Sequence, residues 1–305
     1  SNQWLNTNLS YGHLLYPRVN ISYNFRNSEL DAYDMDALVM NMKFLQHKLR
    51  LYISENYSRT ISVGAGIEAD FLTPRKVMYQ HHNTLDQDNS PVNTLGTFAY
   101  LHYDNLNKSN FPTRGVAGKV NFTWKDMLFD SQRVSRLSYG SIVFGLEGYI
   151  PVIEDRLVLI PKLYGSFLFG KGSVNGCSDS WNPVFDGPVP AYPTMNNIVG
   201  GAEMGRYIDQ QLPFIGITNL HAMENVMTMV RADLRFRIAK NNYVTGIFNY
   251  VRDGDCFKDY LVGPGYFGAG IEYAYDTIFG PMKANVHWSD MTGKVGFYVS
   301  VGYNF

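Results

Sequence analysis

The chain has 305 residues, of which 45% are hydrophobic and 15% aromatic but only 17% charged, and its formal net charge is −1. A soluble domain usually takes about a quarter of its residues from the charged set, so this surface is short of charge, and the lack of any basic run leaves no footprint for nucleic acid. Mean hydropathy is −0.19 and no run reaches the roughly 18 apolar residues of a spanning helix, whereas alternating lipid-facing and lumen-facing residues average to near zero in this way.

No charged segment followed by an apolar one opens the chain, as expected of a processed protein or a fragment. Residues 4–15 hold one weak candidate strand. From there the alternation is clear: Val19, Ile21, Tyr23 and Phe25 share one face, and Asn20, Ser22, Asn24 and Arg26 the other. A period of two reads as a strand. A polar turn is expected over residues 27–36. Leu38, Met40, Met42 and Phe44 form the next apolar set, and after a break at 46–48 Leu49, Leu51 and Ile53 form another. Between 61 and 71, Ile61, Val63, Ile67 and Phe71 oppose Ser62, Gly64, Glu68 and Asp70, and that second face is too polar for a dry core. Residues 73–93 read as a long loop, whose His81-His82 pair lacks further ligands at metal-binding spacing. No metal site is expected.

Further strands are predicted over 97–104, 116–124, 139–150 and 156–169, then over 228–238, 243–251, 265–276, 282–289 and 294–305. The last of these puts Val295, Phe297, Val299, Val301, Tyr303 and Phe305 on one face, an aggregation hazard in water but an ordinary surface in lipid. On 228–238, Arg231, Asp233, Arg235 and Arg237 share the opposite face, where a dry core would demand partners for them. The stretch 170–221 has no strand periodicity and several prolines, and so long a loop is usually functional or disordered.

These segments amount to about fourteen strands, or about sixteen in a longer parent. The expectation is one all-β domain over residues 1–305, an antiparallel transmembrane β-barrel closed so that no edge is left in lipid. Long connections at 73–93, 126–136, 170–221 and 252–259 fall at one end and short turns at 105–115, 151–155, 240–242 and 277–280 at the other, so the long ones are expected outside the cell. Cys177 and Cys256, too few for a disulfide scaffold, then share an oxidising face. A disulfide pinning the long loop is one outcome and two free thiols the other.

The turn from Tyr103 to Gly115 carries Asp104, Phe111, Pro112, Thr113, Arg114 and Gly115. It resembles the Asp…Phe-Pro-Thr-(Arg/Asp)-Gly turn of the bacterial surface antigen superfamily, the barrels of outer-membrane insertases and two-partner secretion transporters. The C-terminal barrels of patatin-like outer-membrane proteins of Bacteroides-type bacteria are the most similar branch. The resemblance implies a bacterial outer-membrane location and a long extracellular loop folded into the lumen. The loop tip of that family reads Val-Arg-Gly-Phe/Tyr; here Val199, Gly200 and Gly201 stand in its place, with Gly200 where the arginine would be. If Arg206 substitutes for that arginine, Asp233 or Glu272 is its implied partner, and Arg231, Asp233, Arg235 and Glu272 are the candidate latch.

No Gly-X-Ser-X-Gly elbow is present to supply a hydrolase nucleophile. The Gly263–Gly268 match to Gly-X-Gly-X-X-Gly opens a strand and not a helix, so it offers no pyrophosphate site. The reading is a barrel without catalytic residues, cofactor or metal, embedded in outer-membrane lipid. It anchors, or conducts a polypeptide for, a periplasmic or hydrolase domain outside this chain. A passive diffusion pore is the first alternative. A phospholipase-type barrel is the second, although His102, His221 and His287 lack a serine at an obvious spacing.

Overall fold

The computed structural model describes all residues except 1–2, 13–16, 35–36, 82–83, 87–90, 128–137, 155, 171–196, 202–203, 206–207 and 303–305. The alternation becomes one antiparallel sheet. Its first half contains β1 (Gln3–Tyr11), β2 (Arg18–Asp34), β3 (Ala37–Asn56), β4 (Ile61–His81), the short β5 (Thr84–Asp86), β6 (Val92–Asp104), β7 (Gly115–Met127), β8 (Ser138–Ile153) and β9 (Leu157–Gly170). Three short strands lie within the long connection: β10 (Asn197–Val199), β11 (Gln211–Leu212) and β12 (Leu220–Met223). The wall resumes with β13 (Val226–Ala239) and β14 (Asn242–Gly254), passes the one-and-a-half-turn helix α1 (Phe257–Val262), and ends with β15 (Gly265–Thr277), β16 (Gly280–Ser289) and β17 (Val295–Val301).

Thirteen strands pair in sequence as the wall, with β4 meeting β6 and β9 meeting β13 across their connections. Side chains sort as the alternation requires. On β4, Ile67 and Phe71 are exposed outward while Glu68 and Asp70 are buried inward. On β13, Val230, Leu234, Phe236 and Ile238 face out, and Asp233 and Arg235 face in. On β16, Val286 and Trp288 alternate with buried Asn285, His287 and Ser289. Most of the exposed large apolar side chains are therefore outer residues of the wall strands, as a lipid-facing band demands.

Three local expectations are revised. Segments 38–44 and 49–54 are one strand, β3, with no turn at 46–48: Gln46 and Lys48 point inward, 2% and 7% exposed. Even-numbered residues of β3 face inward throughout this part, so Phe44, placed above with the outer set, is inside at 1% exposed, opposite Pro74 and near buried Leu72. The interior has an apolar zone of its own, and alternation alone cannot tell an apolar residue facing lipid from one facing that zone. Second, the turn at 27–36 and the loop at 73–93 are largely strand. β2, β3 and β4 have 17, 20 and 21 residues against the roughly 9–11 that span a bilayer, so this hairpin region rises well past the membrane at the long-loop end. His81 closes β4, and His82 lies outside the described residues. Third, 170–221 holds the three short strands β10–β12.

Among the described residues β1 pairs only with β2, and β17 only with β16.

Placing a charge on the outer face should test the assignment. Ile67→Arg is expected to destabilise the barrel by about 2–4 kcal/mol, whereas Asn121→Glu, on the inner face of β7, should change stability by less than about 1 kcal/mol. Urea-dependent folding equilibria in phosphatidylcholine vesicles measure both.

Candidate functional site

The lumen is filled at the long-loop end by the segment from Asn197 to Met223. Ile198, Val199 and Leu212 are fully buried, and Ile208, Phe214, Ile215 and Ile217 nearly so. Of these, Val199, Leu212, Phe214 and Ile217 pack with Val143, Met227, Met229 and Val251 from the inner faces of β8, β13 and β14 into one hydrophobic cluster. β10 pairs antiparallel with β12 and parallel with β11, and β12 continues onto β2 at Leu220↔Ala32 and His221↔Tyr33. Backbone groups inside a barrel still need partners, and side chains of both wall and plug supply them. Asn249 accepts from the Ile215 N–H at 3.1 Å and donates to the Ile215 carbonyl at 3.0 Å. Asn197 donates to the carbonyls of Glu224 and Asn225 at 2.7 and 2.9 Å and accepts from the Ser166 hydroxyl at 2.7 Å. At the tip, Gly200 and Gly201 have φ of +127° and +75°, and the Gly200 carbonyl accepts from Gln211 Nε2 at 2.6 Å. A side chain at either glycine would be strained.

Below this plug lies a charged cluster. Lys125 is 2% exposed and bonds Glu68 and Asp70 at 2.8 and 2.9 Å. Arg50 meets Glu68 at 2.5 Å, and Gln46 donates to both oxygens of Asp70 at 2.9 Å. Lys48 stands 4.0 Å from Asp70 and 2.5 Å from Asp209, which belongs to the plug. Burial raises the Asp209 carboxyl, but attraction from Lys48, then Lys125 and Arg50, outweighs it and holds the group well below the usual aspartate range. This ion pair ties loop to wall. A cavity of about 400 Å³ opens beneath it, between Met204, Gly205 and Asp209 of the plug and Arg50, Tyr52, Tyr100, Lys119 and Asn121 of the wall.

A second cluster sits across the lumen. Arg231 chelates Asp233 through Nε and Nη2 at 2.6 and 2.9 Å, and Lys162 bridges Asp233 and Glu147 at 3.4 and 3.2 Å. Arg235 donates to the carbonyl of Pro112 and lies 5.6–5.8 Å from the ring centres of Phe111, Tyr149 and Tyr243. Phe111 stacks on Tyr243 with centroids 4.1 Å apart, and its φ is +47°. The β6–β7 turn therefore folds inward over the short-turn mouth and bounds a cavity of about 270 Å³ below Ile215.

The model of the OMP85 superfamily matches residues 12–176 and 189–305. The chain is a member of the OMP85 superfamily. Three solved structures share the fold. BamA from Haemophilus ducreyi lacking POTRA domains 1–3 matches with TM-score 0.65 and 16% identity over 98% of this chain and 62% of that one. CdiB from Acinetobacter baumannii matches at 0.56 and 11% over 99% and 50%, and CdiB from Escherichia coli at 0.52 and 11% over 98% and 52%. This chain thus spans between half and two thirds of those proteins. No curated protein matches. Like these barrels, the protein resides in the bacterial outer membrane.

In this OMP85 barrel the candidate residues fall in separate places. Val199, Gly200 and Gly201 form the tip, the first two buried and Gly201 half-buried, while Arg206 lies outside the described residues. Arg231 and Asp233 bond each other, Arg235 holds the turn, and Glu272 lines the lower cavity. Asp104 accepts from the Leu106 N–H at 2.9 Å, Gly115 has φ of +116°, and Arg114 makes an exposed pair with Glu154 at 2.8 Å. Cys256 is buried and disulfide-bonded; Cys177 lies outside the described residues. Sequence reasoning missed Lys48, Lys125, Asp209, Asn197 and Asn249. The signal for Lys48 was present: its parity continues Arg50 and Tyr52, and a cation at an inward position demands an acid nearby.

A carboxyl with a depressed folded pKa adds stability above its unfolded value and loses it only as pH falls through the folded one. Acidifying from about pH 7 to about pH 5 should therefore leave the segment 197–223 as protease-resistant as before. Asp209→Asn should make it cleavable at both, which limited proteolysis in detergent will show.

Proposed function

We propose that this barrel is a polypeptide conduit held shut at rest by its own loop, working with a periplasmic domain that lies outside this chain. The observation that carries the reading is the plug. An apolar cluster and the Asp209–Lys48 pair hold the loop inside the lumen at the long-loop end, while polar cavities of about 400 and 270 Å³ remain beneath it. A barrel built only to anchor has no need of a sealed polar interior, and a passive pore has no need of a seal. The resemblance of the Asp104–Gly115 turn to that of insertase and secretion barrels supports the choice of passenger.

Single-channel recording separates the readings. The wild-type barrel should show small, rare openings, and the triple change Lys48→Met, Asp209→Asn, Asn249→Ala should give larger and longer ones. Steady large conductance of the wild type would favour the passive pore instead, and a silent triple variant would leave only the anchor. We also infer that Cys256 bonds Cys177 and tethers the loop from its other end. Mass analysis should find the oxidised chain lighter by the thiol hydrogens than the reduced one, and two alkylatable thiols without reductant would contradict this.

A further inference from the structure

Helix α1 lies on the outside of the wall. Inner and outer positions of β9, β13 and β14 are fixed by parity, and the residues α1 touches are outer ones. The Phe257 ring meets Phe167 of β9 with centroids 6.0 Å apart. The Tyr260 hydroxyl bonds Thr228 of β13 at 2.5 Å. Gly254 of β14 is a close approach: a Cβ there would stand 2.2 Å from the Tyr260 nitrogen, so only glycine lets the helix lie directly on the strand. Val226, an outer residue by parity, is 4% exposed for the same reason.

The helix is tied down at both ends. Cys256, immediately before it, is buried and disulfide-bonded. At the other end Arg252, an outer residue of β14, donates to the carbonyls of Leu261 and Gly263 at 2.9 and 2.7 Å, with a further bond from Nε to Gly263 at 3.1 Å. These carbonyls end a helix and have no partner within it, and water could have served them without an arginine. Yet beside the exposed Lys258 and Asp259, three of the uncovered side chains are large and apolar: Phe257, Leu261 and Val262 are 52%, 69% and 80% exposed.

Position explains the combination. From Ile238 beside the short turn to Val226 under α1, β13 climbs about 30 Å at the usual rise and tilt, the thickness of the hydrocarbon layer. The exposed face of α1 thus continues the lipid-facing band at its upper boundary. We propose that α1 is an interfacial membrane anchor, sunk roughly 5–10 Å into the boundary between acyl chains and headgroups at the long-loop end of the barrel. There Leu261 and Val262 meet acyl carbon and exposed Lys258 meets headgroup oxygen, while Arg252 satisfies backbone groups that lipid cannot.

Nitroxide labels on the full chain, refolded into vesicles of phosphatidylcholine and phosphatidylglycerol, test this. Leu261→Cys and Val262→Cys carry the reporter, with Val230→Cys as the lipid-facing standard and Lys240→Cys as the aqueous one. The described native cysteine is not free to react. Oxygen, which partitions into lipid, should relax both helix labels more than a water-soluble nickel chelate does, with a ratio closer to that of Val230→Cys than of Lys240→Cys. Ratios matching Lys240→Cys would place the helix in water and overturn the proposal. Shielding of both labels from both reagents would point to contact with a second copy and would overturn it equally.

Discussion

The hydrocarbon layer offers no hydrogen bonds, and this one constraint shapes every spanning segment of the chain. Each backbone N–H and C=O at that depth must find a partner in the protein, and strands paired to two neighbours do so while leaving side chains free to alternate. Outward positions carry Val, Ile, Leu and Phe, whose transfer to lipid is favourable. Inward positions are released from that demand, and the chain uses them for Lys48, Glu68, Asp70, Lys125, Asp233 and Arg235. The same pressure reaches the helix beyond the wall, whose last carbonyls are met by Arg252.

The interior is divided into two media. At the long-loop end, Val199, Leu212, Phe214 and the wall methionines Met227 and Met229 make a dry core of the kind found in soluble proteins. Below it, charged groups are buried but compensated: Lys125 faces two carboxylates, and Asp233 faces Arg231 and Lys162. Such groups gain little net stability from being buried and lose much if one partner is removed. The Lys48–Asp209 pair, which joins wall to loop, does fix geometry, because it is satisfied in one position of the loop. Asp209 is where the two media meet, and it carries the loop's charge to a cation that the wall already holds beside Asp70.

Much of the barrel was legible in the residues, because period-two alternation is a strong signal when it recurs over the whole chain. Val295 to Val301, Ile61 to Phe71 and Thr228 to Ile238 all form strands with the faces expected of them. The failures have a common cause. Phe44 is apolar because it faces the interior and not lipid. Polarity then ceases to report the face, and parity across an apparent break becomes the better guide. The polar hairpins at 27–36 and 73–86 were read as loops because beyond the membrane nothing forces alternation, although the backbone pairing continues. For the site, the turn from Asp104 to Gly115 and the Val199-Gly200-Gly201 tip could be located from their residues, but their partners could not. Asn249 with Ile215, and Lys48 with Asp209, are separated by 34 and 161 residues, and only the folded wall brings them together.

The plug is the point at which the account is most exposed. Hydrogen–deuterium exchange on the barrel in lipid nanodiscs measures it without altering a residue. Amides of 198–199 and 211–217 should exchange as slowly as those of β13 and β14, since they are buried and bonded to the same wall. Exchange of these amides at the rate of solvated loops, with the wall still protected, would mean that the lumen is open and the central claim is wrong.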